Sequence, residues 1–186
     1  MQPRRSPLAL VLLGLLMEAP AHPYELQRTI RRRGKDRVVN VGQRAGLYQT
    51  VNRLHRDGLI AVRETVRETA RPERTVYEVT PAGREAFTRW LREMLAEPRE
   101  EYPEFPAAVS CLPMLPAEDA LRQLERRRAR LSERLARLQE EIAAATGRLP
   151  RRALLEEEHR RALLAAELMW VASLTEDLRA GRLAWD

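Results

Sequence analysis

Leu47, Val51 and Leu54 fall at i, i+4 and i+7, and the stripe they form stops at Gly58. That spacing puts three apolar side chains on one face of a helix over residues 44–57, and glycine readily takes the left-handed backbone that closes one. Two β-branched runs follow, residues 60–66 and 75–79, with Ile60/Val62 and Tyr77/Val79 alternating. Between them lies a polar stretch from Arg67 to Arg74 that includes Pro72, too long for a tight turn. Upstream, residues 24–33 bring Leu26 and Ile30 to one helix face, and Gly34 ends that segment. Helix, loop, helix and then a hairpin with a basic tip is the order of a winged helix.

The flanks agree with this order. Residues 7–18 are apolar nearly all round, which predicts a central helix with Ser6 as N-cap and Pro7 in its first turn. Arg4 and Arg5, the apolar run at 8–17 and Ala19-Pro20-Ala21 also have the outline of a secretory signal. The helix–loop–helix and hairpin that follow favour the buried helix. Pro20 and Pro23 break the chain before the second helix. Residues 35–42 form a connector in which Val38, Val39 and Val41 predict a short extended stretch. Thr80-Pro81 starts a fourth helix that runs to about Ala96, with Phe87, Trp90, Leu91 and Met94 facing inward.

The composition then shifts. Prolines 98, 103, 106, 113 and 116 crowd residues 97–116. We therefore place one domain at 1–96, a Pro-rich linker with a short helix near 107–112 at 97–116, and a second domain at 117–186. Residues 117–146 predict one long helix. Leu124, Leu131 and Leu138 repeat every seven, and Leu121, Leu135 and Ile142 form a second row interrupted at Arg128, together a coiled-coil seam. Gly147 and Pro150 end it. A last helix over 151–179 carries Leu164, Leu168, Val171, Leu174 and Leu178. Two antiparallel helices cannot bury both of their apolar faces alone. A homodimer is expected, with Leu121, Leu124, Leu131, Leu135, Leu138, Ile142, Leu164, Leu168 and Val171 as its contacts. The expected fold class is mainly α with a small β-hairpin: an N-terminal winged helix-turn-helix and a C-terminal long-helix antiparallel hairpin for dimerisation.

Charge is divided unevenly between the halves. Residues 1–96 hold 18 Lys and Arg against 10 Asp and Glu, whereas residues 97–186 hold 15 against 17. A basic surplus confined to the winged-helix half points to a polyanionic partner. On the third helix, steps of 100° set Gln49, Asn52 and Arg56 opposite the apolar stripe. Tyr48 and Arg53 flank them, and Gln43 and Arg44 begin the helix. Gln, Asn and Arg can each bond two base-edge atoms in a major groove, while helix N-terminal amides and Arg44 suit phosphate. Arg67, Arg71 and Arg74 suit the nucleic-acid backbone or a minor groove. The run Arg31-Arg32-Arg33 divides between solvated surface and phosphate contact. Double-stranded DNA is the expected partner, contacted by Gln43, Arg44, Tyr48, Gln49, Asn52, Arg53, Arg67, Arg71 and Arg74. The alternative is a small-molecule sensor or protein-interaction module whose wing docks a protein.

No constellation for catalysis emerges. His22, His55 and His159 lack metal-ligand spacing, and there is no Gly-rich phosphate loop or nucleophile elbow. A lone cysteine, Cys111, excludes an internal disulfide and a Cys-based zinc site; it is expected as a small buried group in a reducing compartment. Glu156-Glu157-Glu158 read as a solvated helix face. The expectation is a non-enzyme in the cytoplasm with no cofactor, no metal and no membrane span. Tyr24, Trp90 and Trp170 are the candidates to wall a small aromatic effector, with plain packing as their alternative use.

Residues 8–17, His22-Pro-Tyr-Glu-Leu26, Gly46-Leu-Tyr48 with Leu54 and Gly58-Leu-Ile60, and the segment from Arg74 through Tyr77 to Gly83 occur in the order and spacing of a known pattern. Over residues 7–95 the chain resembles the PadR family of bacterial transcriptional regulators. The tail, with Pro103-Glu-Phe105 and two long helices, is similar to the longer C-terminal type in that family. The resemblance implies a winged-helix homodimer, joined through its C-terminal helices, that represses by binding a palindromic operator. It also implies that phenolic acids or drug-like aromatics can release DNA, as in some members. Tyr48 matches the family's tyrosine in the recognition helix, which implies DNA contact there. Pro23 stands where the family usually has Gly, and Gly46 follows an unusual Gln43-Arg44-Ala45.

Overall fold

The computed structural model describes residues 4–66 and 74–185. Arg67 and Arg71, two of the expected wing contacts, lie outside the described residues. The chain separates into two compact units, Met1–Glu100 and Glu101–Asp186.

The first unit is built on helix α1 (Pro7–Glu18). It starts where expected: Ser6 Oγ accepts the Ala9 N–H at 3.2 Å, and Pro7 fills a first-turn position that needs no donor. Ala9, Leu12, Leu13 and Leu16 are buried, and Leu8, Leu10, Val11 and Leu15 pack around them. Helix α2 (Pro23–Arg32) brings Leu26 and Ile30 into this core, and helix α3 (Arg44–Arg56) brings Leu47, Val51 and Leu54. Pro23 occupies the first turn of α2, where its missing N–H costs nothing. The extended stretch expected between α2 and α3 does not form. Lys35–Arg37 makes a 3-10 turn, and Val39 and Val41 turn inward as buried plugs. Buried Gln27 donates to the Val41 carbonyl at 2.8 Å and holds this loop down.

Gly58 closes α3 at φ +72°. Its N–H donates to His55 O at 3.0 Å and the Leu59 N–H to Leu54 O at 2.9 Å, the two bonds of a Schellman end. Strand β1 (Ile60–Val66) then pairs antiparallel with β2 (Arg74–Val79), from Ile60 opposite Val79 to Val66 opposite Arg74, with a register shift between Val62 and Glu64. Ala21, just ahead of α2, exchanges both backbone bonds with Tyr77 at 3.0 and 3.1 Å, so the wing is tied to the helix-turn-helix. Helix α4 (Pro81–Ala96) begins at Thr80. The Thr80 hydroxyl accepts the Gly83 N–H at 3.0 Å and donates to the Gly58 carbonyl at 2.7 Å. Ala86 and Trp90 join the core with Phe87 against them. Leu91, expected to face inward, is exposed.

In the second unit the short helix is α5 (Glu104–Ser110), three residues earlier than expected, because Pro103 and Pro106 suit its start. A 3-10 turn, Leu112–Met114, leads to α6 (Ala117–Ala145). Helix α7 (Leu155–Arg179) returns antiparallel, linked to α6 by Arg179–Glu125 at 2.6 Å, Arg160–Glu141 at 3.9 Å and Arg127–Glu167. This pairing also engages the residues expected as dimer contacts. Leu124, Leu131, Leu138, Ile142 and Val171 are buried within one chain, and Leu121, Leu135, Leu164 and Leu168 are half-buried. The seven-residue row is covered by α7 of the same chain. The large apolar side chains left exposed on α7 are Leu155, Leu163, Met169 and Trp170. Cys111, expected to be buried, is exposed at the end of α5. The fold class is as expected: mainly α, a two-stranded hairpin that makes a winged helix, and long C-terminal helices.

A Cβ added at Gly83 would lie 2.0 Å from the Leu59 carbonyl oxygen and 2.8 Å from Val79 Cγ2. The clash is with backbone, which cannot rotate away, so α4 meets the start of the wing only on a glycine. Gly83→Ala is expected to destabilise the first unit by about 1–3 kcal/mol. At Gly46 an added Cβ meets nothing within 4 Å, so Gly46→Ala is expected to stabilise by up to about 1 kcal/mol through helix propensity. Thermal unfolding followed by circular dichroism should separate the two variants in opposite directions; equal melting temperatures would contradict the close approach.

Candidate nucleic-acid interface

Burial of the α3 stripe turns the opposite face outward. Ala45, Tyr48, Gln49, Asn52 and Arg56 are all exposed along it. Gln43 occupies the N-cap position but its side chain makes no capping bond, and it too is exposed. The first turn of α3 contains no acidic residue, so its free amides carry the positive end of the helix dipole unopposed. Arg44 is exposed there, its guanidinium 6.0 Å from the ring centre of Tyr24. Tyr24 is half-exposed at the start of α2, so the two helix starts present one tyrosine, one arginine and free backbone donors together. The Tyr24–Arg44 stack is a tertiary contact across twenty residues, and periodicity carried no sign of it.

Arg53, on the flank of this face, has a partner within the unit. It is half-buried, and its Nη2 donates to Ser6 Oγ at 3.2 Å, while its buried Nε has no partner among the described residues. The side chain ties α3 to the start of α1. At 100° per residue Arg53 lies at the border of the polar face, and the Ser6 acceptor draws it inward. Arg56 holds the corresponding outward place, 3.8 Å from Asp57.

The other cations are partly engaged. Arg33 makes a two-pronged contact with Glu18 at 2.7 and 2.6 Å. That hydrogen bonding holds the Glu18 carboxyl below its usual range and raises the Arg33 guanidinium above its own. Arg31 reaches the Val41 carbonyl at 3.4 Å, and Arg32 is exposed. On the wing, Arg63 lies 3.7 Å from Glu78 across the strands, whereas Arg74 stands exposed at the start of β2.

The three aromatic candidates have different surroundings. Trp90 is 3% exposed, inside the core of the first unit. Tyr24 lies under Arg44. Trp170, on α7, is half-exposed with its ring edge-on to Phe105 at 6.0 Å. Glu156, Glu157 and Glu158 are half-buried rather than fully solvated, and Glu158 pairs with Arg151 at 3.0 Å. Among the described residues no three His, Cys, Asp or Glu side chains are grouped to hold a metal, and no helix is long and apolar enough to cross a membrane.

The profile of the transcriptional regulator PadR-like family matches residues 12–89. No curated protein matches the sequence. Among solved structures, the chain is similar to Bacillus subtilis PadR in complex with operator DNA, with a TM-score of 0.72 and 18% identity over 92% of this chain and 98% of that one. It is similar to the Vibrio cholerae virulence activator AphA, with a TM-score of 0.65 and 23% identity over 93% and 98%. Bacillus subtilis PadR in complex with p-coumaric acid aligns with a TM-score of 0.67 and 14% identity over 95% and 99%. At these identities the likeness shows a shared fold.

His22 connects this site to pH. Its Nδ1 accepts the Tyr24 N–H at 3.1 Å, and the Glu25 carboxylate accepts the His22 N–H, also at 3.1 Å, a capping box on α2. Partial burial pushes the imidazole below its ordinary 6.5, with Arg74 adding to the fall and Glu25 opposing it. A depressed native value means that the unfolded chain takes up the proton first. The cap's contribution is therefore complete above about pH 6.5 and is lost as pH falls through the native value. Urea unfolding at pH 7.5 and pH 5.5 should show a larger drop for the wild type than for His22→Asn, which caps without titrating; equal drops would contradict the neutral-imidazole cap.

Proposed function

We propose, from the match of residues 12–89 to the transcriptional regulator PadR-like family, that the chain is a sequence-specific DNA-binding repressor, acting as a homodimer on a palindromic operator. The observation that carries this reading is the outward face of α3: Tyr48, Gln49, Asn52 and Arg56 are exposed together, opposite a fully buried apolar stripe. Such a helix fits a major groove, with Gln49 and Asn52 able to bond base edges bidentately. Arg44, Gln43 and the free amides of the first turn serve phosphates, which fixes register on the duplex. Arg74, exposed at the start of β2, reaches the neighbouring backbone or minor groove, and the same role is proposed for Arg67 and Arg71, which lie outside the described residues. Arg53 has a positioning role through Ser6. Bacillus subtilis PadR, which shares this fold, has been solved in complex with operator DNA, and that complex supports the same use of the fold here. The family is one of regulators, and a non-enzyme is the reading consistent with it.

The second unit supplies the dimer in this reading. Leu163, Met169 and Trp170 on α7 are 59%, 72% and 46% exposed, large apolar side chains of the kind a protein partner covers. A second copy covers it and holds two winged helices to read half-sites about 34 Å apart, or a multiple of that. Repression follows from occupancy of the operator. An effector acts by binding the two dimer states unequally. An aromatic effector gains little support from Trp90, which is in the core, or from Tyr24, which lies under Arg44.

Selection of bound fragments from random duplexes supplies the operator on which two variants are compared. Asn52→Ala should lose about 1–3 kcal/mol on the selected site and little on unrelated duplexes, while Arg44→Ala should weaken all duplexes alike. Identical behaviour would contradict the division between base and phosphate contacts. Sedimentation of the full chain should give a dimer for the wild type and a monomer for the double variant Leu163→Glu, Met169→Glu; a dimer that survives both charges would contradict the α7 interface.

A further inference from the structure

Seven arginines lie on α6, and their partners divide them sharply. Arg122 pairs with Asp119, Arg127 with Glu167, Arg128 with Glu176 and Arg137 with Glu133. Arg126, Arg130 and Arg134 pair with no carboxylate among the described residues. These three, spaced i, i+4, i+8, line one edge of a groove of about 580 Å³ between α5, the 3-10 turn after it and α6. No Asp or Glu among the described residues lines that groove. Its floor is aliphatic, formed by Val109, Leu112, Leu115, Leu124 and Leu131. A row of uncompensated guanidinium groups beside an aliphatic floor matches a molecule with one anionic end and one apolar end.

The groove also discriminates between apolar bodies. Phe105 is the one aromatic side chain among the described residues that line it. The Arg127 guanidinium lies 3.4 Å from its ring centre, and the Trp170 ring abuts its edge. Its ring is therefore engaged by the protein itself, and the groove is left with branched aliphatic surface. We propose that this groove binds an aliphatic carboxylate of medium chain length, its chain on Leu112, Leu115 and Leu131 and its carboxylate on Arg126, Arg130 and Arg134. The inference concerns the second unit and stands whether or not the first unit binds DNA.

Two tryptophans report on the groove. Trp170 touches Phe105, and Trp185 Nε1 donates to the Leu115 carbonyl at 2.7 Å. The full chain is titrated with decanoate below its micellar concentration and followed by tryptophan fluorescence and calorimetry. Saturable binding is expected, one decanoate per chain, at least tenfold tighter than for neutral decanol or for 3-phenylpropionate. The triple variant Arg126→Gln, Arg130→Gln, Arg134→Gln, checked for helix content by circular dichroism, should bind at least tenfold more weakly. Arg137→Gln, on the same helix outside the groove, should bind as the wild type does. Absence of saturable decanoate binding, as when a second copy fills the groove, would overturn the proposal. So would equal affinity for decanol or 3-phenylpropionate, or an unchanged triple variant.

Discussion

The contact between the apolar stripe of α3 and helix α1 sets everything presented on the outer surface of the first unit. Leu47, Val51 and Leu54 are each about 1% exposed, and once they are fixed no rotation of α3 is left. Tyr48, Gln49, Asn52 and Arg56 then face outward by geometry alone. Helix α1 also packs against α4 and β2, so the same buried leucines that orient α3 also seat the wing. The Schellman end at Gly58, the Thr80 hydroxyl on the Gly58 carbonyl and the approach of Gly83 to Leu59 lock the turn between helix and hairpin. Three local devices therefore fix the register of wing and helix within a few residues of each other.

Electrostatics then sorts the arginines into two sets. Arg5 is held by Glu93 at 2.7 Å, Arg33 by Glu18 and Arg63 by Glu78. Exposed pairs of this kind contribute about 0–1 kcal/mol each, so their main effect is to hold charge near where it is compensated. Arg32, Arg44 and Arg74 remain exposed. In the second unit four arginines, Arg127, Arg128, Arg160 and Arg179, join α6 to α7 through ion pairs, while on α6 the row at Arg126, Arg130 and Arg134 has no carboxylate partner among the described residues.

Where one residue type admits one local conformation, the chain was legible. Ser6-Pro7 and Thr80-Pro81 marked two helix starts to the residue, and Gly58 marked the end of α3. The apolar period of α3 predicted which side chains face out. Features that depend on tertiary partners were not legible. Arg53 lies at a border angle, and only the position of Ser6 decides that it turns inward. The heptad row of Leu124, Leu131 and Leu138 predicts a partner helix but not whose helix, and here it is α7 of the same chain. Val38, Val39 and Val41 have β propensity, yet two of them are buried as plugs in the loop instead. Cys111 is short and apolar enough for a core, but it lies just past a seven-residue helix that buries no residue fully.

In the proposed function, guanidinium groups of the first unit displace counterions from a polyanion. Anisotropy of a labelled random-sequence duplex, titrated with the wild-type full chain at increasing salt, measures this directly. The logarithm of the affinity should fall linearly with the logarithm of salt concentration, at about −0.9 per phosphate neutralised, with several phosphates engaged. A salt-independent affinity, or no complex even at about 10 mM salt where screening is weakest, would contradict it.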